Sequence, residues 1–387
     1  MSFSILALVL SLFALLPSVY SSKAVLSGGY VDSLNADVYN AFINQASPNG
    51  RAPYIGVVTA GTTLEVAQST ADSIISQLRD IYGVRNVEWL PYHPDDGTTC
   101  SSTRWNSMLN SMTGIYFNGG DSQMLLDCFQ PNGRTSSALS IILSRYSNGS
   151  LAVYGSSAGA LVMQSNPFLK IQDSWNALVY GPNYIGAGGF GIFNHGFLDV
   201  HFSTRGRHGA FARLIYDFRS YGTIGFGIDQ DTAIVMDNEN SFRVAGTGAV
   251  YIFDVGSAIK GSTSSSNHGR WAVRNIRVFY LTAGDRYYFN TGMISFASGK
   301  KVNAGNNVSA KYTADIFSDN AFTSLSTRFF NANRSTSTYG YTSELYPRYR
   351  VNLFKKSNSR SYVRKTNGVS KMSYANLYID IYCMSNC

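Results

Sequence analysis

Leu151-Ala-Val-Tyr-Gly-Ser-Ser-Ala-Gly-Ala-Leu-Val-Met-Gln164 is the stretch from which the rest of the chain is read. Four apolar residues run into Gly155-Ser156-Ser157-Ala158-Gly159, and a helix-compatible segment follows without a Pro or Asn/Asp turn signal. This is the strand, sharp turn and helix of a G-x-S-x-G nucleophile elbow, with Ser157 at the tip. The flanking backbones of such a turn approach closely, so a Cβ at Gly155 or Gly159 would clash. Helix-terminal N–H groups lack intrahelical partners, which makes Ala158 N–H a candidate donor to an oxyanion. Taken alone, the motif is also met as an ordinary glycine-rich turn.

Short apolar runs alternate with helical patterns on both sides of the elbow. Ala24-Val-Leu26, Tyr54-Ile-Gly-Val-Val58, Val87-Glu-Trp-Leu90 and Gly114-Ile-Tyr-Phe117 read as strands. Between them Leu64, Ala67, Ala71, Ile74, Ile75, Leu78 and Ile81 recur with a 3.6-residue period, started by a capping box Thr62-x-x-Glu65 and ended at Gly83. A second helix is expected from about Thr135 to Tyr146. The alternation predicts an α/β fold, a parallel sheet with helices on both faces, in which ligands bind beyond the carboxyl ends of the strands. Gly119-Gly120-Asp121-Ser122-Gln123 occupies such a strand end, and Gly120 N–H is a candidate second oxyanion donor.

A serine nucleophile needs a base. Of His93, His195, His201, His208 and His268, His201 has the most promising setting. It follows a short apolar run and is flanked by Asp199, Arg205 and Arg207 in a chain only 14% charged. His195 and His208 are its rivals by position. Gly225-Phe-Gly-Ile-Asp229-Gln-Asp231-Thr-Ala-Ile-Val-Met236 offers Asp229 or Asp231 as the acid that orients the imidazole, and both also suit turn positions.

Four motifs in one order carry a resemblance. Gly-x-Ser-Ala-Gly-Ala at 155–160, Gly-Gly-Asp at 119–121, Asp-x-His-Phe-Ser-x-Arg-Gly-Arg at 199–207 and Gly-Ile-Asp-x-x-Thr-Ala at 227–233 are similar to those of cyanophycinases. These serine peptidases are related to peptidase E on a class I glutamine amidotransferase-like fold. The resemblance covers about residues 24 to 255. It implies Ser157 as nucleophile, His201 as base, Gly119, Gly120 and Asp121 as the oxyanion and positioning loop, and Asp199 and Arg207 as substrate contacts, with Arg205 beside them. There are departures. Gln230 stands where the family has the glutamate of its triad, and Gly-Gly-Asp-Gln reads here as Gly-Gly-Asp-Ser-Gln, so Ser122 or Gln123 takes the last place. Ala210 and Val200 also replace polar residues of the family pattern.

Composition bounds the rest. The 387 residues are 44% hydrophobic and 14% aromatic, enough for a large core and unlike a disordered chain. Residues 1–22 read as a secretory signal peptide, although no positive charge precedes the run Ile5–Leu16. No later stretch is long and apolar enough for a membrane span, so a secreted soluble protein is expected. Four cysteines suit that compartment; Cys383 with Cys387 and Cys100 with Cys128 is one of three connectivities. Asn148, Asn307 and Asn333 head glycosylation sequons. No spacing resembles a metal site, and no cofactor is expected.

Charge divides the chain. Residues 259–387 hold 18 Lys/Arg against 5 Asp/Glu, whereas residues 1–258 hold 13 against 18. A hydrolytic region 23–258 and a basic, β-rich C-terminal region 259–387 are expected, the latter suited to an anionic polysaccharide or surface rather than a specific nucleic acid. The functional expectation is an acyl-enzyme peptidase acting on a peptide or isopeptide polymer at Asp-Arg-like or acidic residues. The alternative is an inactive secreted binding protein on the same scaffold. An α/β-hydrolase esterase fits poorly, because its histidine follows the acid and only His268 does so here.

Overall fold

The computed structural model describes residues 23–96, 99–261, 270–366 and 369–384. The expected signal peptide, His268, Cys387 and most of the serine-rich stretch 261–267 lie outside them. Five strands, Ala24–Ser27, Tyr54–Val58, Asn86–Leu90, Gly114–Phe117 and Ala152–Ser156, form the parallel core of a nine-stranded sheet. Thr232–Asn238 pairs antiparallel with Ala24–Ser27 and leads to three further antiparallel strands at that edge.

Alternate residues of one strand enter different cores, as the pleat requires. Val25, Val57, Ala152 and Tyr154 pack with helices Ala36–Gln45 and Leu64–Asp80; Leu26, Val58, Phe117 and Val153 face helices Thr103–Ser111, Ser122–Phe129 and Ser137–Ser147. Burying one such side chain is worth roughly 1.5–3 kcal/mol, so both faces hold the sheet. Helix Leu64–Asp80 has the expected buried stripe Ala67, Ala71, Ile75 and Leu78, and Gly83 has φ 69° as expected for a helix end. The capping box is not formed. Thr63 is the N-cap, without a side-chain bond, while Thr62 Oγ1 donates to Thr59 O.

The change of charge at 258/259 does not break the fold. Residues Arg277–Thr282 of strand Val273–Thr282 pair with the whole of Ala249–Asp254, and Arg286–Tyr288 adds to the first sheet beside Ser241–Gly246. A second nine-stranded sheet runs from Phe197–Val200 through Ile224–Ile228, Ala249–Asp254 and Val273–Thr282 to the long hairpin Tyr349–Thr366 and Val369–Cys383. One face of it shares the core of the first sheet through Val200, Ile228, Ile252 and Leu281. The other buries Tyr251, Phe253, Leu377 and Ile379 against helices Ser174–Tyr180, His208–Asp217 and Ala321–Asn331. A buried ion pair ties together segments of the basic C-terminal part. Lys300 Nζ bonds both carboxylate oxygens of Asp285 (2.6 and 2.7 Å), Thr282 Oγ1 and Ser373 Oγ, with the Lys300 and Asp285 side chains 1% and 0% exposed. Cys100 and Cys128 form a disulfide. No described helix is long and apolar enough to cross a membrane.

Candidate active site

The first strand ends in Ser27-Gly28-Gly29, and three loops hang from its carbonyls. Ser157 N–H donates to Ser27 O (3.1 Å), His201 N–H to Gly28 O (3.0 Å) and Asp231 N–H to Gly29 O (3.0 Å). Residues far apart in sequence are thus fixed within one turn of backbone. Only glycine fits there. A Cβ at Gly28 would lie 2.1 Å from Asp229 O, and one at Gly29 (φ 91°) 2.4 Å from His201 Cε1. The two glycines were visible in the sequence, but their role needs the register of loops contributed by other strands.

Ser157 has φ 55° and ψ −119°, the strained conformation of a nucleophile elbow, and begins helix Ala158–Leu161. Gly155 and Gly159 are demanded as expected: a Cβ at Gly155 would meet Gly159 O at 2.4 Å, and one at Gly159 would meet Phe117 O at 2.4 Å. Ser157 Oγ lies 2.7 Å from His201 Nε2, within the reach that proton transfer requires. The ring is buried. Burial first, then the charges of Arg205 and Arg207, push its pKa down to about 4, so the imidazole is neutral and able to accept a proton at neutral pH. Tyr30, 74% exposed with φ 46°, sets its ring edge-on to His201 at 5.1 Å, a neighbour the sequence did not single out.

Gln230 is the residue behind the histidine. Its Nε2 lies 3.0 Å from His201 Nδ1. An amide N–H aimed at Nδ1 fixes the tautomer whose other nitrogen carries the proton, and that nitrogen cannot deprotonate Ser157. A half-turn of the carboxamide presents Oε1 instead; Nδ1 then donates to it, and Nε2 is free to take the serine proton.

Neither neighbouring aspartate reaches the imidazole, which corrects their candidacy. Asp229 is buried and accepts from Ser203 N–H (2.9 Å) and Ala249 N–H (3.2 Å); burial outweighs these bonds and pushes its pKa up to about 6. Asp231 accepts from Asp32 N–H, Asn35 Nδ2 and Thr247 Oγ1, and so anchors loops. Both are turn residues, as their composition allowed. The rival histidines lie elsewhere. His195 stacks on Phe289 at 3.7 Å, and His208 sits among Phe202, Tyr251 and Phe322 with no protein partner for either ring nitrogen.

Ser157 opens into a cleft of about 490 Å³ lined by Gly120, Asp121, Gln123, Ala158, Lys170, Arg205 and the apolar Leu161, Leu169, Ile185 and Val200. Gly119 packs against Ser157, since a Cβ there would come within 2.9 Å of the serine Cβ, and Gly120 takes φ 128°. Gly120 and Ala158, the expected oxyanion donors, both line the cleft with Ser157. Asp121 caps helix Ser122–Phe129 by accepting from Gln123 N–H (2.7 Å), and Gln123 Nε2 donates to Asp127 (2.8 Å). Both rim the cleft.

Arg207 is not free to bind substrate as expected. Its Nε and Nη2 grip Asp199 (2.8 and 3.0 Å), and Nη1 and Nη2 donate to Lys170 O and Gln172 O, which accounts for all five N–H groups. The pair is buried and holds the 170–172 wall of the cleft; Asp199 works through it. The exposed cations at the cleft are Lys170 and Arg205.

Residues 66–244, which span the elbow, the histidine and Gln230, match the model of peptidase family S51. The chain is similar to a cyanophycinase of Trichormus variabilis, 25% identical over 282 residues that cover 70% of this chain and 87% of that one. It is similar also to a cyanophycinase of Geminocystis herdmanii, 30% identical over 192 residues covering 47% and 65%.

The matched region of the chain belongs to peptidase family S51.

It is accordingly a serine-type peptidase. Among solved structures it is similar to a peptidase from an acI-B1 Actinobacterium (22% identity, TM-score 0.48, 60% of this chain and 90% of that one). In this peptidase the matched region begins after the Ser27-Gly28-Gly29 turn and stops before strand Ala249–Asp254, so it covers the elbow, His201 and Gln230 but not that turn or the second sheet's outer hairpin.

Proposed function

We propose that this peptidase is secreted and hydrolyses peptide or isopeptide bonds at acidic or Asp-Arg-like residues of a polymer. The observation that carries this reading is the pair of exposed cations, Lys170 and Arg205, in the cleft that holds Ser157. They suit a substrate carboxylate beside the scissile carbonyl, and Asp121, which also lines the cleft, suits a guanidinium.

His201 Nε2 takes the Ser157 proton as Oγ attacks the carbonyl carbon. The oxyanion is met by the N–H groups of Gly120 and Ala158. Collapse breaks the C–N bond, with His201 returning the proton to the leaving amine; water, deprotonated by the same nitrogen, then releases the acid and regenerates serine. Through these steps Gln230 must hold its oxygen toward Nδ1. An amide cannot balance the imidazolium charge as a carboxylate does, so the imidazolium is less stabilised than in a carboxylate triad. The same substitution favours the second reading, a weak or inactive binding protein.

Secretion is supported by the Cys100–Cys128 disulfide. Asn148, Asn307 and Asn333 are all exposed and suit glycosylation in a eukaryotic secretory route. The test is dipeptide release from cyanophycin and from polyaspartate-containing peptides by wild type and Ser157→Ala. The wild type is expected to release product and the variant none; equal release by both would end the proposal.

A further inference from the structure

The chain's longest hairpin is broken at its middle. Lys355 faces Leu377, but the next in-register pair is Arg360 with Ala375, so residues 356–359 bulge opposite Asn376, whose φ is 60°. Asn376 Nδ2 donates to Asn358 O (3.0 Å), Ser359 Oγ to Asn376 O (2.5 Å) and Asn358 Nδ2 to Tyr378 Oη (2.9 Å). A bulge sacrifices ladder bonds and re-aims side chains, and one so fully held by its own bonds is a built feature.

It aims Arg360 at a cleft of about 320 Å³ between the bulge and the segment 292–296. The floor is aromatic, with Phe279, and with Phe296 stacked on Tyr362 at 4.0 Å; the rim holds Arg277, Arg360 and the carboxamides of Asn358 and Asn376. Arg360 uses Nη1 on the bulge carbonyls of Ser357 and Ser359 (2.6 and 2.8 Å). Arg277 uses Nε and Nη2 on Asp254. Farther along the same strand face Arg364 stands directly opposite Lys371. Facing like charges destabilise a sheet. Of the 18 Lys/Arg beyond residue 258, only Arg277, Arg286 and Lys300 form ion pairs with acids among the described residues, so the face carries positive charge that the protein leaves unbalanced.

We infer that this cleft is a second binding site, distinct from the peptidase centre, for an acidic polysaccharide whose sugars bear carboxylates. The Nε and Nη2 groups of Arg360, which take no protein acceptor among the described residues, match a carboxylate, Asn376 Oδ1 suits a sugar hydroxyl, and the half-buried rings of Phe296 and Tyr362 offer apolar surface to a sugar ring. If the chain is secreted as proposed above, the site would hold the peptidase on an acidic matrix.

The test is calorimetric titration of the full chain with polygalacturonate, with dextran, polyaspartate and single-stranded DNA as comparisons. Polygalacturonate is expected to bind more tightly than the other three. Arg360→Gln and Tyr362→Ala should each weaken it tenfold or more, and Lys311→Gln, an exposed cation outside the cleft, less than twofold. Peptide hydrolysis should be unchanged in all three variants, so failure here is separable from failure of the peptidase reading. The inference is overturned if polygalacturonate does not bind, if any comparison polymer binds as tightly, or if Lys311→Gln costs as much as Arg360→Gln.

Discussion

Backbone strain is distributed differently at the catalytic end of the first sheet and in the rest of the molecule. Nine described residues other than glycine have positive φ. Five are asparagines, Asn49, Asn132, Asn275, Asn320 and Asn376, the residue type that tolerates this region best after glycine. The other four, Tyr30, Ser157, His201 and Asp231, all surround the Ser27-Gly28-Gly29 turn. Where only shape is needed the chain uses the residue that suits the backbone. Around the nucleophile, chemistry dictates the side chain, and the surrounding bonds hold it in a conformation it does not favour.

The hardest test of this contrast is the turn itself. Gly29→Ala puts a methyl 2.4 Å from His201 Cε1 and 3.1 Å from Ser157 Cβ. Displacing the imidazole by about 1 Å should cost roughly 10²-fold in kcat/KM. Steady-state kinetics on the purified variant checks it, and near-normal turnover would show that the turn does not position the pair.

Gln230→Glu asks whether the third residue limits the reaction. A carboxylate behind the ring would stabilise the imidazolium and raise the His201 pKa. We expect kcat/KM to rise by at least about tenfold, since the opposite exchange in such a triad costs up to about 10⁴-fold. In the wild type the acid limb should fall near pH 4, because the histidine must be neutral to act; in the variant it should move upward. An unchanged rate and profile would mean that Gln230 is not the orienting group.

The smallest effect addresses the strain alone. Ser157→Gly and Ser157→Ala both lack the hydroxyl, but only alanine keeps a Cβ at φ 55°. Glycine should be more stable by about 1 kcal/mol in denaturant unfolding. Asn49→Gly, at an exposed position with φ 54°, should change stability by less than about 0.5 kcal/mol. Equal costs at the two positions would erase the distinction between them.

The sequence made the parallel sheet legible because period-2 and period-3.6 patterns report directly on which side chains are buried. Thus Leu64 to Leu78 and the five strands could be read, as could the elbow, whose glycines have a local cause. The partner of His201 was harder. Asp229, Gln230 and Asp231 are adjacent, and which one points inward depends on Gly29 O taking the Asp231 N–H and on Asp229 turning to Ser203 and Ala249. The family resemblance implies Arg207 as a substrate contact, but the carbonyls that saturate it belong to residues 170 and 172, far from it in sequence. The C-terminal strands read correctly as strands, yet nothing in their composition showed that Val273–Thr282 would continue the same sheet.

The central claim, that His201 activates Ser157, is tested most directly by the rate at which a fluorophosphonate labels the full chain as a function of pH, with the modified peptide identified by mass spectrometry. The account predicts one labelled residue, Ser157, at a rate that rises with pH through a midpoint well below the ordinary histidine range and is lost in His201→Ala. No labelling of Ser157, or labelling that survives removal of the imidazole, would contradict it.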